Sequence, residues 1–271
     1  MKILIIGFGN MGQTYASSFT SSGFVNSSDI FVLNRSEVEK KKRFSIDKSN
    51  FYTEPSPVIF DVDIIILAVK PQDFSSLAVS ITPFVTKNHI LLSVMAGISI
   101  QTIQEKLGSN KVVRSMPNIP TQIGEGMTVF CASNAVDRKE LFIVQNLINT
   151  TGKSIYIEKE EMLNAATAVS GSGPAYVFYF LEAMTEAGVQ MGLSQEQAYH
   201  LAKATFGGAT HLARQSTDSP EVLRQRVTSK GGTTYAALTS LADDHVKEAF
   251  VKAMLAAQKR AAELGDEFGK D

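Results

Sequence analysis

The sequence predicts an α/β fold in two parts: an N-terminal Rossmann-type doubly wound sheet, then an all-helical C-terminal dimerisation domain. Three observations predict it. Short β-branched apolar runs alternate with helix-like stretches up to about residue 158, such runs stop from about 159, and a glycine-rich turn joins the first run to the first helix-like stretch. The expected domains are therefore residues 1–158 and 159–271.

In the first part the runs are Ile3–Ile6, Ile30–Leu33, 63–69, 90–94, 111–114, Gly126–Ala132 and 154–157, each short enough for a buried strand. Helix-like stretches at 11–22, 36–44, 98–107 and 137–149 lie between several of them, which predicts a parallel sheet with right-handed crossovers. In the second part Val246, Phe250, Met254, Ala257, Ala261 and Leu264 recur at spacings of three and four, one face of a long terminal helix. Ser194 with Gln197 forms a capping box, and Ser219-Pro220 reads as an N-cap followed by a first-turn proline. The segment 175–184 is apolar nearly all round, so it should be buried on most of its surface, by a partner subunit as well as by a core.

With 26 basic and 27 acidic residues the net charge is −1, and no nucleic-acid partner is expected. The longest aliphatic run, 64–69, is six residues and the N-terminus has only four apolar residues before Gly7, so neither a membrane span nor a signal peptide is expected. A cytoplasmic location follows. The single cysteine, Cys131, lies in an apolar strand and reads as a buried inert thiol. The basic run Lys40-Lys41-Lys42-Arg43 reads as a solvated helix face.

Gly7-Phe8-Gly9-Asn10-Met11-Gly12 follows a strand and opens a helix, the context in which GxGxxG holds a dinucleotide. Gly7 makes the tight turn, Gly9 admits the pyrophosphate, and Gly12 lets helix and strand pack closely. A glycine turn without a ligand is the plainer alternative. The second strand ends at Leu33-Asn34-Arg35-Ser36, with no acid to grip a ribose 2′-hydroxyl. Arg35 can pair with a 2′-phosphate and Asn34 or Ser36 can hydrogen-bond it, so NADPH is expected over NADH, with NADH possible and Arg35 equally readable as a merely exposed side chain. Ala68-Val69-Lys70-Pro71 ends the longest apolar run at the expected ligand edge, where Lys70 either faces nicotinamide or substrate, or simply precedes a strand-ending proline. Met95, Ala96 and Gly97, and then Asn118, end later strands on that edge as candidate cofactor walls.

Near the other end lies Thr228-Ser229-Lys230-Gly231-Gly232-Thr233-Thr234, just before a helix. Glycines let backbone N–H groups turn toward a small anion, and a helix N-terminus adds unpaired donors, which suits a carboxylate. An ordinary Gly-Gly turn with Thr N-caps fits the same residues.

Together with Ser170-Gly171-Ser172-Gly173-Pro174-Ala175-Tyr176, these motifs make the chain closely resemble the pyrroline-5-carboxylate reductase family, from the first strand to the last helix. The resemblance implies NAD(P)H-dependent reduction of 1-pyrroline-5-carboxylate to L-proline by a homodimer, or a higher oligomer, whose sites are built between two chains. It implies that Val227, Ser229, Gly231, Gly232, Thr233 and Thr234 surround the substrate, with Glu160 near it. It implies that Ile6, Gly7, Phe8, Gly9, Asn10, Met11 and Gly12 cover the pyrophosphate, that Asn34, Arg35 and Ser36 lie near the adenosine phosphate, and that Ala68, Val69, Lys70, Pro71, Met95, Ala96 and Gly97 line the nicotinamide side. Two residues depart from the family pattern: Lys230 replaces the usual proline, and Glu54 stands near a position where some relatives carry asparagine.

A cyclic iminium is already electrophilic, so orientation matters more than acid catalysis. No metal site is expected, and His89, His200, His211 and His245 are scattered outside every motif. Thr234 is the candidate for a hydrogen bond to the ring nitrogen. Two other readings are an NADP-dependent hydroxy-acid dehydrogenase of similar layout and a non-catalytic NADP-binding regulatory paralogue. The first calls for a proton donor such as a lysine on the interdomain helix, and 162–184 contains none.

Overall fold

Aliphatic runs with no polar face are buried only in a sheet covered on both sides, and that is what they form here. The computed structural model describes residues 1–36 and 46–268. In chain order the first elements are β1 (Ile3–Ile6), α1 (Asn10–Ser21), β2 (Ile30–Leu33), β3 (Phe51–Tyr52), β4 (Ile64–Leu67), α2 (Phe74–Ile81), β5 (Ile90–Ser93) and α3 (Ile100–Leu107). Then come β6 (Val112–Met116), β7 (Gly126–Ala132), α4 (Arg138–Asn149) and β8 (Gly152–Tyr156), giving an eight-stranded sheet of order β3-β2-β1-β4-β5-β6-β7-β8. β1 and β4 pair in parallel with Ile3 opposite Ile64 and Ile6 opposite Leu67, and every residue of both strands is buried. Ile3 and Ile5 pack with Tyr15 and Phe19 on one face, while Leu4 and Ile6 pack with Phe74, Ile81 and Ile103 on the other. The sheet is therefore doubly wound about a two-sided core.

Two features differ from the expected parallel sheet. β7 runs antiparallel to β6, because residues 117–125 between them are too few for a parallel crossover. The two-residue β3 carried too little apolar sequence to stand out. The helix-like stretch 36–44, with its basic run, falls on residues 37–45 beyond its first position and so outside the described residues.

Strands end at Tyr156, and the chain divides into two compact units, 1–172 with 257–271, and 173–256. The first unit keeps α5 (Met162–Ala166), whose Leu163 is in the core, and the end of the last helix, whose Leu264 carbonyl lies 3.0 Å from where a Cβ on Gly97 would stand. That approach explains the glycine: Gly97 has φ +79°, and a side chain there would meet the helix backbone.

The second unit holds α6 (Gly173–Gln190), α7 (Gln195–Gln215), α8 (Pro220–Arg226), α9 (Thr233–Asp243) and the start of α10 (Val246–Phe268). The Ser194/Gln197 capping box and the Ser219 cap before Pro220 both form. Val246, Phe250, Met254, Ala257 and Leu264 are half-buried and Ala261 buried, so the face read from their spacing is the one α10 turns inward. Phe250 meets Tyr176 and Phe180 edge-on at 5.7 and 5.5 Å. Within the single chain α6 buries only Thr185 and Gly188 and exposes Val177, Phe178, Tyr179, Met184 and Val189, so its own core covers only part of the apolar surface. No helix of the described residues is long and apolar enough to cross a membrane.

Burial also sets two titrations. The Cys131 thiol is pushed up to about 12 by burial, then by the charge of Glu160, with Arg114 opposing, so it is not a nucleophile at neutral pH. His89 is buried, accepts the Thr86 N–H at Nδ1 (3.1 Å), and is held below the usual histidine range mainly by burial, against the Phe60 carbonyl and Asp63. Because its folded pKa is depressed, the unfolded chain takes up the proton first. Stability should fall as pH drops below about 6.5, with a slope of at most about 1.4 kcal/mol per pH unit. Urea midpoints of wild type and His89→Gln between pH 8 and 5 should diverge below that point, and parallel curves would remove His89 as the cause.

Candidate active site

The glycine loop is built by steric exclusion. Gly7 has φ +91°, and a Cβ there would lie 2.7 Å from the Ala68 carbonyl oxygen; one on Gly12 would lie 2.1 Å from that of Gly7. Gly9 has open space around it and stands as the N-cap of α1 without a side-chain cap. The first intrahelical bond runs from the Gln13 N–H to Gly9 O (3.0 Å), so the N–H groups of Asn10, Met11 and Gly12 have no acceptor within the helix. Donors, positive dipole end and open space together fit a pyrophosphate. Ile6 and Phe8 point into the core, Phe8 edge-on to Phe51 at 5.5 Å, so their side chains hold the loop from beneath.

Asn34 ends β2 and turns its side chain to the loop: Oδ1 accepts the Phe8 N–H (3.0 Å) and Nδ2 donates to Ser36 O (2.7 Å). It therefore shapes the phosphate loop. Arg35 beside it has a side chain 91% exposed, with Nη1 3.9 Å from Asp73 Oδ1. After β4, Ala68 and Val69 pack beside Gly7, while Lys70 is exposed ahead of a 3-10 turn begun by Pro71. At the end of β5 the Met95 side chain is in the core, leaving the backbone and the small Ala96 at the edge.

Asn118 is committed twice. Its Oδ1 accepts the Met127 N–H (2.9 Å) and its Nδ2 reaches Ser170 Oγ (3.3 Å), which ties the loop after β6 to the Ser-Gly-Ser-Gly-Pro motif. There the helix widens by one π turn over Thr167–Gly171, closed by the Ser172 N–H on Thr167 O (2.8 Å). Glu160 uses Oε1 to accept from Arg114 (2.7 Å) and from the Ile100 N–H (2.9 Å), joining β6, the first turn of α3 and the segment before α5. Neither of these bonds was readable from the sequence, since the partners are distant along the chain and share no motif.

In the second unit, the Gly232 N–H closes a turn onto Ser229 O (3.1 Å) with Gly231 at φ +75°, the geometry of a type II turn. Lys230 occupies the corner position of this turn, which proline also favours, so the turn forms here with lysine at that corner. The Gly232 N–H is thereby used within the turn. The donors left over are those of Thr233, Thr234 and Tyr235, since α9 has Gly232 as N-cap with no side-chain cap and its first bond runs from Ala236 N to Gly232 O (3.1 Å). Val227, Ser229, Gly231 and Thr233 are exposed and Thr234 half-buried. Among the described residues no three His, Cys, Asp or Glu side chains gather to hold a metal ion.

An uncapped helix N-terminus behind a glycine turn, at the carboxyl edge of a doubly wound sheet, defines a dinucleotide-binding protein. Comparison with known proteins narrows this. Residues 160–264 match the family described as pyrroline-5-carboxylate reductase dimerisation, and residues 2–97 that described as NADP oxidoreductase, coenzyme F420-dependent. The chain is 37% identical to pyrroline-5-carboxylate reductase 2 of Bacillus subtilis, over 98% of this chain and 96% of that protein. It is similar to the crystal structure of pyrroline carboxylate reductase from Plasmodium falciparum with NADP bound, at TM-score 0.87 and 29% identity over 98% of both chains. A pyrroline-5-carboxylate reductase structure from Coxiella burnetii gives TM-score 0.86 and 33% identity over 97% of this chain and 98% of that one. The chain belongs to the pyrroline-5-carboxylate reductase family.

Proposed function

We propose that the protein reduces 1-pyrroline-5-carboxylate to L-proline, the last step of proline synthesis, using NADPH in preference to NADH. The family match along the length of the chain carries the reading, and the uncapped α9 N-terminus behind a type II turn supports it by offering N–H donors suited to a carboxylate. Asn10, Met11 and Gly12 would hold the pyrophosphate by their N–H groups, Arg35 the 2′-phosphate, and the edge from Ala68 to Pro71 with Ala96 the nicotinamide side. When bound, the reduced nicotinamide supplies a hydride to the C=N carbon. The N–H groups of Thr233, Thr234 and Tyr235 hold the substrate carboxylate, and Thr234 Oγ1 hydrogen-bonds the ring nitrogen, which keeps its proton as the amine forms. Both sets of donors fit an anion because the helix end behind each is positive.

Self-association follows from the dimerisation match and from the apolar side chains that α6 leaves exposed; we assign a homodimer. A buried thiol with no disulfide partner suits a cytoplasmic setting. NADPH oxidation measured with 1-pyrroline-5-carboxylate against a panel of keto and hydroxy acids tests the reaction. Turnover of a keto acid but not of the imine would overturn it. Arg35→Ala should weaken NADPH binding about 10- to 100-fold, the worth of a charge-assisted phosphate contact, and leave NADH within about twofold. Equal loss for both nucleotides would remove Arg35 from phosphate recognition.

A further inference from the structure

Asp73 ends the 3-10 turn Pro71–Asp73 that runs directly into α2, and its side chain makes no capping hydrogen bond to that helix. Its backbone is helical there (φ −90°, ψ −7°) rather than extended, which is not the conformation that lets an N-cap side chain accept from the helix's first turn. The carboxylate goes to Arg35 instead, Oδ1 to Nη1 at 3.9 Å. Arg35 follows β2 and Asp73 follows β4, and these strands flank β1 on its two sides. The pair thus spans the carboxyl edge of the sheet across the glycine loop, where the adenosine ribose of a dinucleotide lies in such folds.

We infer that Asp73 is a specificity determinant acting against NADPH. It occupies Arg35 until a 2′-phosphate displaces it, and so narrows the margin by which NADPH is preferred over NADH. This rests on Arg35 being the 2′-phosphate partner. An exposed pair at this distance is weak enough for a phosphate of nearly two charges to displace, and strong enough to cost NADPH about fivefold in affinity. NADH brings no phosphate, leaves the pair intact and bears no such cost.

The test is a binding cycle on the full-length protein, with dissociation constants for NADPH and NADH read from nicotinamide fluorescence for wild type, Asp73→Asn, Arg35→Ala and the double variant. Asp73→Asn should tighten NADPH about three- to fivefold and leave NADH within about twofold, with thermal unfolding unchanged because no cap is lost. In the Arg35→Ala background the same substitution should move NADPH by less than about twofold. The inference is overturned if Asp73→Asn leaves the ratio of the two affinities unchanged, or acts as strongly without Arg35. If Arg35→Ala itself spares NADPH, the phosphate assignment falls and the competition falls with it. If Arg35→Ala weakens NADPH while Asp73→Asn is silent, only the competition falls.

Discussion

Thr234→Val is expected to lower kcat/KM for 1-pyrroline-5-carboxylate by about 10- to 100-fold, with NADPH affinity unchanged. Thr234 stands second in α9, directly after Thr233 and the N-cap Gly232, and is half-buried; under the proposed function its hydroxyl meets the ring nitrogen of a substrate whose carboxylate the first-turn N–H groups hold. A hydrogen bond to a charged group is worth about 1.5–3 kcal/mol, and about 1.4 kcal/mol is tenfold in rate. Valine keeps the β-branched shape and the backbone donors while deleting the hydroxyl, so carboxylate binding should persist. Thr234→Ser should restore most of the rate. Steady-state kinetics at saturating NADPH check this, and wild-type kcat and KM in the valine variant would show that the iminium needs no hydroxyl partner.

What could be read in advance was whatever local chemistry decides. Ile3–Ile6 and Ile64–Leu67 have no polar face, so burial on both sides followed, and the glycine fingerprint followed from the strand before it and the helix after it. Strand direction is not a local property: the apolar run Gly126–Ala132 would read the same either way, and its antiparallel pairing with β6 comes from the short connection alone. The side-chain commitments were hidden for a similar reason. Asn34 reads as a phosphate contact at the end of β2, but whether a terminal amide faces a ligand or the Phe8 N–H depends on how the neighbouring loop turns. The fate of α6 was half legible. Its composition announced an apolar surface, and only the packed chain shows that most of it lies outside the protomer's own core.

Glu160 poses the sharpest choice, because the family resemblance places it near the substrate and the structure gives its Oε1 to Arg114 and Ile100. As a tether, its loss leaves the Arg114 guanidinium, 11% exposed, without its counter-charge and frees a first-turn N–H of α3. Removing one partner of such a pair costs about 3 kcal/mol, which Glu160→Ala should show as a lower urea midpoint at pH 7. The Cys131 thiol reports the same event, since Glu160 raises its pKa and Arg114 lowers it; without the acid it should titrate nearer the ordinary range. Replacing both charges, as Arg114→Met with Glu160→Met, should recover much of the stability, because two apolar side chains of similar length leave no buried charge. The pair of variants then separates the roles. A tether predicts that KM for 1-pyrroline-5-carboxylate returns toward wild type as stability returns, whereas a substrate contact predicts a raised KM in both variants regardless of stability.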